Sequence, residues 1–243
     1  MKTSIKIALV LIFSSSLSVG HAQSWFGQKV SGNGNVTTKT ISTENYDAIE
    51  AAGFMDIHLK KGTEGQITVT TDDNLQQYVE IEVKNNKLII KTKKNCNLRT
   101  NKGIIITVPF EDISKVILTG SGDIETKDMI TANEFNASLF GSGDLKLTVK
   151  SPKVQVIIAG SGDVTMSGST SNLAVELSGS GDFKGFDIES QATNVSISGS
   201  GNAKVVAKKN LVARVSGSGD IVYKGNPEKK DVKVLGSGNI SPL

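Results

Sequence analysis

The sequence predicts an all-β fold: a parallel β-solenoid, a right-handed single-stranded β-helix, with an N-terminal β region that caps it. Three observations lead there. First, a Gly-Ser-Gly-Asp/Asn tetrad recurs seven times, as Gly120-Ser121-Gly122-Asp123, Gly141-Ser142-Gly143-Asp144, Gly160-Ser161-Gly162-Asp163, Gly179-Ser180-Gly181-Asp182, Gly199-Ser200-Gly201-Asn202, Gly217-Ser218-Gly219-Asp220 and Gly236-Ser237-Gly238-Asn239. The steps are 21, 19, 19, 20, 18 and 19 residues, and a short period that tolerates small slips marks a stack of units meeting only their neighbours. Second, the flanks alternate in polarity and are rich in β-branched residues, as in Val116-Ile117-Leu118 before a tetrad and Leu145-Lys146-Leu147-Thr148-Val149 after one; this is the pattern of short strands with one buried face. Third, two glycines per unit and the lack of a 3.6-residue apolar stripe exclude helical hairpins. The competing all-β reading is a β-sandwich whose hairpins are alike by coincidence.

Each tetrad reads as a sharp corner between two strands. Glycine supplies positive φ or close backbone approach, and the Asp or Asn side chain bonds back to a nearby main-chain N–H. At about 3.3 Å per residue, 19 residues make one rung of short strands and corners, with rungs about 4.8 Å apart. Seven stacked corners put the seven Asx side chains in a ladder, and these 21 glycine and Asx positions are the structural residues the sequence singles out.

In chain order, residues 1–22 read as a leader. Lys2 and Lys6 precede the apolar run Ile7–Phe13, and Gly20-His21-Ala22 offers small residues before a cut ahead of Gln23. Seven apolar residues fall far short of the roughly 20 a membrane span needs, and no later span follows. Residues 23–110 read as the N-terminal β region, with longer strands and hairpin turns than the later coils. Trp25, the only tryptophan, is expected to cap the core, with a partner contact as the alternative. Val30–Asn35 resembles a degenerate forerunner of the later corners. Tyr46–Leu59, Gln66–Thr70, Val79–Val83, Lys87–Lys91 and Ile104–Val108 read as strands; Asn74–Tyr78 suggests a brief helical turn, and Asn85-Asn86 a hairpin turn. Residues 111–243 read as the solenoid, its first regular unit starting near Ile113.

Charge and reactive residues narrow the function classes. The chain carries 27 Lys plus Arg against 24 Asp plus Glu; without the two leader lysines the excess is one, too small to draw in nucleic acid or an anionic membrane. Lys91–Lys94 and Lys229-Lys230 read as solvated strand ends. Cys96 is the only cysteine, so the exported chain has no disulfide framework. His58, the only histidine outside the leader, reads as a solvated strand residue and shows no pairing with Cys96 of the kind a catalytic thiol requires.

The leader, the Tyr46–Leu59 and Leu75–Thr92 segments and the repeated corners together resemble the putative auto-transporter adhesin, head GIN domain family, common in Bacteroidetes. The resemblance covers about residues 28–240. It implies a β-helical fold and a cell-envelope setting, exported to the periplasm, outer-membrane surface or beyond, and it brings no catalytic residues. An autotransporter also needs a membrane barrel, and no stretch of this sequence is left over to build one.

The sequence therefore points to a non-catalytic envelope protein that binds a polysaccharide or protein through a solenoid face, without cofactor or metal. Candidate outward rows are Lys146, Thr165 and Lys184 after the corners, and Glu176, Ser196 and Lys233 before them. The alternatives are a structural or assembly module, including a homo-oligomer, and a carbohydrate-active β-helix enzyme. The enzyme reading lacks a break in the repeat where opposed carboxylates would stand. Calcium on the aspartate ladder is a further possibility, weighed against corners that accept Asn202 and Asn239 as readily as Asp.

Overall fold

The structure is a computed structural model, and it describes residues 28–243; the leader and Trp25 lie outside the described residues. The N-terminal strands are β1 (Gln28–Ser31), β2 (Val36–Ser42), β3 (Ala48–Gly53), β4 (Asp56–Lys61), β5 (Gln66–Asp72), β6 (Val79–Lys84), β7 (Lys87–Thr92), β8 (Cys96–Arg99) and β9 (Ile105–Phe110). A single 3₁₀ turn, Gln76–Tyr78, stands where the helical turn was expected. The coils follow as β10 (Lys115–Gly120), β11 (Ile124–Thr131), β12 (Glu134–Gly141), β13 (Leu145–Gly160), β14 (Val164–Gly179), β15 (Phe183–Gly199), β16 (Ala203–Val206), β17 (Asn210–Gly217), β18 (Ile221–Lys224), β19 (Lys229–Gly236) and β20 (Ile240–Pro242).

From β10 onward all pairing is parallel, with register shifts only between Glu125 and Met129 and between Thr165 and Ser167, and each corner stands above the last. Period-two alternation sends every second side chain inward. One inward column runs Val116, Ala137, Val156, Val175, Val195, Ala213 and a second runs Leu118, Leu139, Ile158, Leu177, Ile197, Val215, all buried. Removing such apolar area from water, at about 25 cal/mol per Å², drives the stacking. In the final rung the same columns hold Val232 and Val234, which are 43% and 38% exposed.

The β-solenoid is thus the observed fold, with parallel stacking and an N-terminal cap. The cap is where antiparallel pairs enter: β2 with β5, β5 with β9 and β6 with β7. The same hydrogen-bonded sheet crosses residue 110, because β3 pairs with both β7 and β10, and β4 with both β9 and β11. Tyr46 pins the junction. Its hydroxyl donates to the Pro109 carbonyl, and burial, then the nearby Glu64 charge, push the phenol well above its ordinary pKa.

Two sequence expectations are corrected. The strands of the N-terminal region are not the longer ones. They run 4–7 residues, whereas β13, β14 and β15 run 16, 16 and 17, because the chain rounds the bend opposite the corner without losing its pairing to neighbouring coils. Nor is Val30–Asn35 an early corner. Val30 and Ser31 pair with β8 in a separate two-stranded sheet, and the following loop wraps Asp72. That carboxylate accepts the Gly34 N–H and the Thr100 hydroxyl, each at 2.6 Å; the hydroxyl bond, against the cost of burial, holds its pKa below the usual carboxylate range.

The first corner of the stack is instead Gly53-Phe54-Met55-Asp56. Gly53 has the φ of +131° shared by Gly120 above it, and its carbonyl accepts the N–H groups of Ser121 and Gly122 at 2.9 and 3.1 Å. The same two bonds join every later pair of corners, as from Ser142 and Gly143 to the Gly120 carbonyl at 2.8 and 3.2 Å.

Candidate functional site

Two edges of the solenoid gather polar side chains from successive coils: the corner edge and the bend opposite it. On the corner edge, each Asx side chain reaches forward to the next coil rather than back into its own turn. Asp123 Oδ1 accepts the Asp144 N–H at 2.9 Å, Asp144 accepts from Asp163 and Asp163 from Asp182 at the same distance, and the line continues through Asp182, Asn202 and Asp220 to the Asn239 N–H. The chemistry asked of the side chain is one acceptor oxygen at Oδ1, which Asp and Asn both carry. This explains how Asn202 stands in line, accepting the Asp220 N–H at 3.1 Å.

Charge on the ladder is managed locally. Burial works against the Asp163 carboxylate, but the Lys184 ammonium 2.6 Å away and the Asp182 N–H together hold its pKa below the ordinary value. The same hydrogen bond raises Lys184. Asp56, at the first corner, shifts the other way: partial desolvation and the Asp123 charge above it raise its pKa. Among the described residues no three His, Cys, Asp or Glu side chains converge closely enough to hold a metal ion. Main-chain N–H groups, not an empty cage, face the ladder's oxygens.

The other singled-out residues fall apart in space. His58 lies on β4 with Nδ1 2.9 Å from Glu125 Oε1, one coil up. Cys96 is a half-buried free thiol on β8, in the small separate sheet. Of the expected outward rows, Lys146, Thr165 and Lys184 do stack in register; Glu176 and Ser196 also stack, with Arg214 standing between Ser196 and Lys233. Neither row has a single chemical character.

The opposite bend carries a feature the repeat did not reveal. Here a buried hydroxyl closes the turn by donating to the carbonyl two residues on: Ser151 to Lys153 at 2.8 Å, Thr170 to Asn172 at 3.0 Å and Ser190 to Ala192 at 2.9 Å. A hydroxyl residue seven or eight positions after Asp144, Asp163 and Asp182 was the available sequence signal. Outside these turns runs a groove of about 950 Å³ whose walls come from six successive coils, from Asp47 through Ser114, Asn133, Lys150 and Ser169 to Gln191. Ile113, Ala132 and Pro152 give it apolar patches, and Asp47, Asp112 and Glu134 set three carboxylates against the ammonium of Lys150. The Ser114 hydroxyl bonds to Asp47 at 2.7 Å and Lys153 to Glu134 at 2.9 Å, tying adjacent coils along the wall.

Such an architecture, a β-solenoid with a structural corner ladder and a long side groove, defines a class of repeat proteins built from stacked coils. Residues 45–227 match the family described as putative auto-transporter adhesin, head GIN domain, and the chain belongs to that family. Solved structures share the fold. A putative adhesin from Bacteroides fragilis NCTC 9343 superposes with a TM-score of 0.83 at 22% identity, covering 88% of this chain and 100% of the other. A protein from Parabacteroides distasonis ATCC 8503 described as a putative lipid binding protein gives 0.76 at 27% identity, over 89% and 100%. A putative adhesin from Parabacteroides merdae ATCC 43184 gives 0.69 at 24% identity, over 89% and 99%. No curated protein matches the chain. Among the described residues no helix is long and apolar enough to cross a membrane.

Proposed function

We propose that the protein is a non-catalytic, adhesin-like binding module of the cell envelope, exported on the leader 1–22 and working through the side of its solenoid. In this reading residues 23–110 cap the solenoid and lend Asp47 to the groove, residues 111–243 present the rest of the surface, and the Gly-Ser-Gly-Asx corners serve the fold. The observation that carries it is the bend groove: six coils contribute to one continuous trough of mixed polar and apolar lining, a surface matched to an extended partner rather than to a small reacting molecule. Family membership and the adhesin descriptions of two similar structures support the same reading. The third is described as a putative lipid binding protein, which names a different ligand class.

The test is binding of the purified protein to peptidoglycan, lipopolysaccharide and outer-membrane protein fractions. Saturable binding to one of them is expected; a flat response to all three would sink the reading. A second reading, assembly through the outer edge of β19, is favoured by the exposure of Val232, Val234 and Leu235 there. It predicts a mass by light scattering that rises with protein concentration.

A further inference from the structure

We infer that the bend groove is a subsite for a linear, neutral or amino-bearing oligosaccharide of about five sugar units, lying along the solenoid axis. The inference rests on the binding reading above and assigns its ligand class and place. Length comes first. From Asp47 to Gln191 the groove crosses five rung spacings, about 24 Å at 4.8 Å per rung, and one rung is close to the length of one pyranose unit. A glycan running along the axis therefore meets a fresh set of side chains at each sugar.

The lining matches sugar chemistry. Ser114, Asn133, Ser169, Ser171 and Gln191 offer hydroxyls and amides that both donate and accept. The apolar patches at Ile113, Ala132 and Pro152 suit the C–H faces of the rings. Charge narrows the class: Lys153 pairs with Glu134 and Lys61 stands 3.8 Å from Asp112, so with Lys150 the groove carries no net positive charge to draw in an acidic polymer, while its carboxylates accept hydroxyl or ammonium donors.

An extended peptide fits less well. It would bind by adding a strand to a free sheet edge, yet the strands at the centre of the groove are paired on both sides, β13 by β12 and β14, and β14 by β13 and β15.

Calorimetric titration of the purified protein tests this, with cellopentaose, chitopentaose and the chitosan pentamer as probes, pentagalacturonate as the acidic counterpart, and a Ser/Thr/Asn-rich peptide of matching length. Envelope polysaccharide is titrated in parallel. The expected result is saturable binding of a neutral or amino-bearing glycan, at least about tenfold weaker for its disaccharide and for the acidic pentamer. Ser171→Trp, which fills the groove from an exposed position, abolishes that binding, and Ser178→Trp on the other strand face does not. Circular dichroism verifies folding, and Ser169→Trp replaces Ser171→Trp if the latter misfolds. Glycan binding that survives the groove variants overturns the site but leaves the binding module standing. Binding of the peptide or the acidic pentamer alone overturns the ligand class. Failure of every glycan, envelope polysaccharide included, overturns the inference, and the broader reading falls with it only if the envelope protein fraction is also not bound.

Discussion

At the scale of single residues, the corner separates positions that admit one residue from positions that ask for one atom. A Cβ on Gly143 would stand 1.8 Å from the Gly122 carbonyl oxygen of the coil beneath, and backbone cannot move aside without breaking the stack. Gly143→Ala is expected to lower stability by more than about 3 kcal/mol or to prevent soluble folding. Gly62, with open space around its would-be Cβ, is the control: Gly62→Ala should shift stability by less than about 1 kcal/mol. Equal urea midpoints for the two variants would show that the corners are looser than their geometry. Asx positions behave differently. Asp163→Asn keeps the acceptor for the Asp182 N–H and loses only the ion pair to the half-exposed Lys184, worth at most about 1 kcal/mol after solvent screening. Asp163→Ala loses the acceptor as well and should cost about 1–2 kcal/mol. The sign with pH follows from the lowered Asp163 pKa. The wild-type advantage over Asp163→Asn is present above the ordinary carboxylate range and vanishes as pH falls through the folded value. It also fades at alkaline pH, as Lys184, raised above its ordinary value, finally loses its proton. Urea titrations of the three proteins at neutral and acid pH decide; an Asn variant as unstable as the Ala variant would mean that the ladder needs its charge.

At the scale of elements, the hairpin between β6 and β7 carries the clearest local prediction. Asn85 and Asn86 both have positive φ, +51° and +60°, the pair of values that a two-residue type I′ turn requires. Asn86→Ala should therefore cost about 1 kcal/mol, while Asn86→Gly should be neutral or stabilising; thermal midpoints of the two variants provide the check, and indistinguishable values would mean the turn is not stressed. This turn was legible in the sequence, as were the seven regular corners, because each needs particular residues whatever lies around it. Gly53-Phe54-Met55-Asp56 was not legible as a corner, and the reason is physical. The second glycine of a tetrad is demanded by the corner below: a Cβ on Gly122 would meet the Met55 carbonyl oxygen at 2.1 Å. Beneath Met55 there is no corner, since β3 and β4 rest on β7 and β9 instead, so a side chain is admitted there and turns inward to fill the core's end. The bend groove escaped for the opposite reason. Its walls combine six coils whose residues do not repeat, and only the register of the finished stack brings Asp47 into line with Gln191.

At the scale of the molecule, a stack of coils holds its stability in the contacts between neighbours, so protection should fall toward whichever coil has fewest. In the middle, β14 is paired along most of its length by β13 and β15, and its Val175 and Leu177 are buried in the core. At β19 only β17 pairs, and Val232 and Val234 occupy core columns while remaining 43% and 38% exposed. Native-state hydrogen exchange should therefore find the amides of Val175 and Leu177 opening only by global unfolding. Those of Asp231 and Lys233, which face β17 across this last pairing, should open by local fraying and exchange at least about 100-fold faster. Uniform protection across β14 and β19 would contradict fraying, and light scattering then separates its two causes. A monomer would mean that the coils unfold as one cooperative unit, whereas a concentration-dependent mass would mean that the apolar face of β19 is covered in solution by a second copy, which would move assembly ahead of the side groove as the protein's working surface.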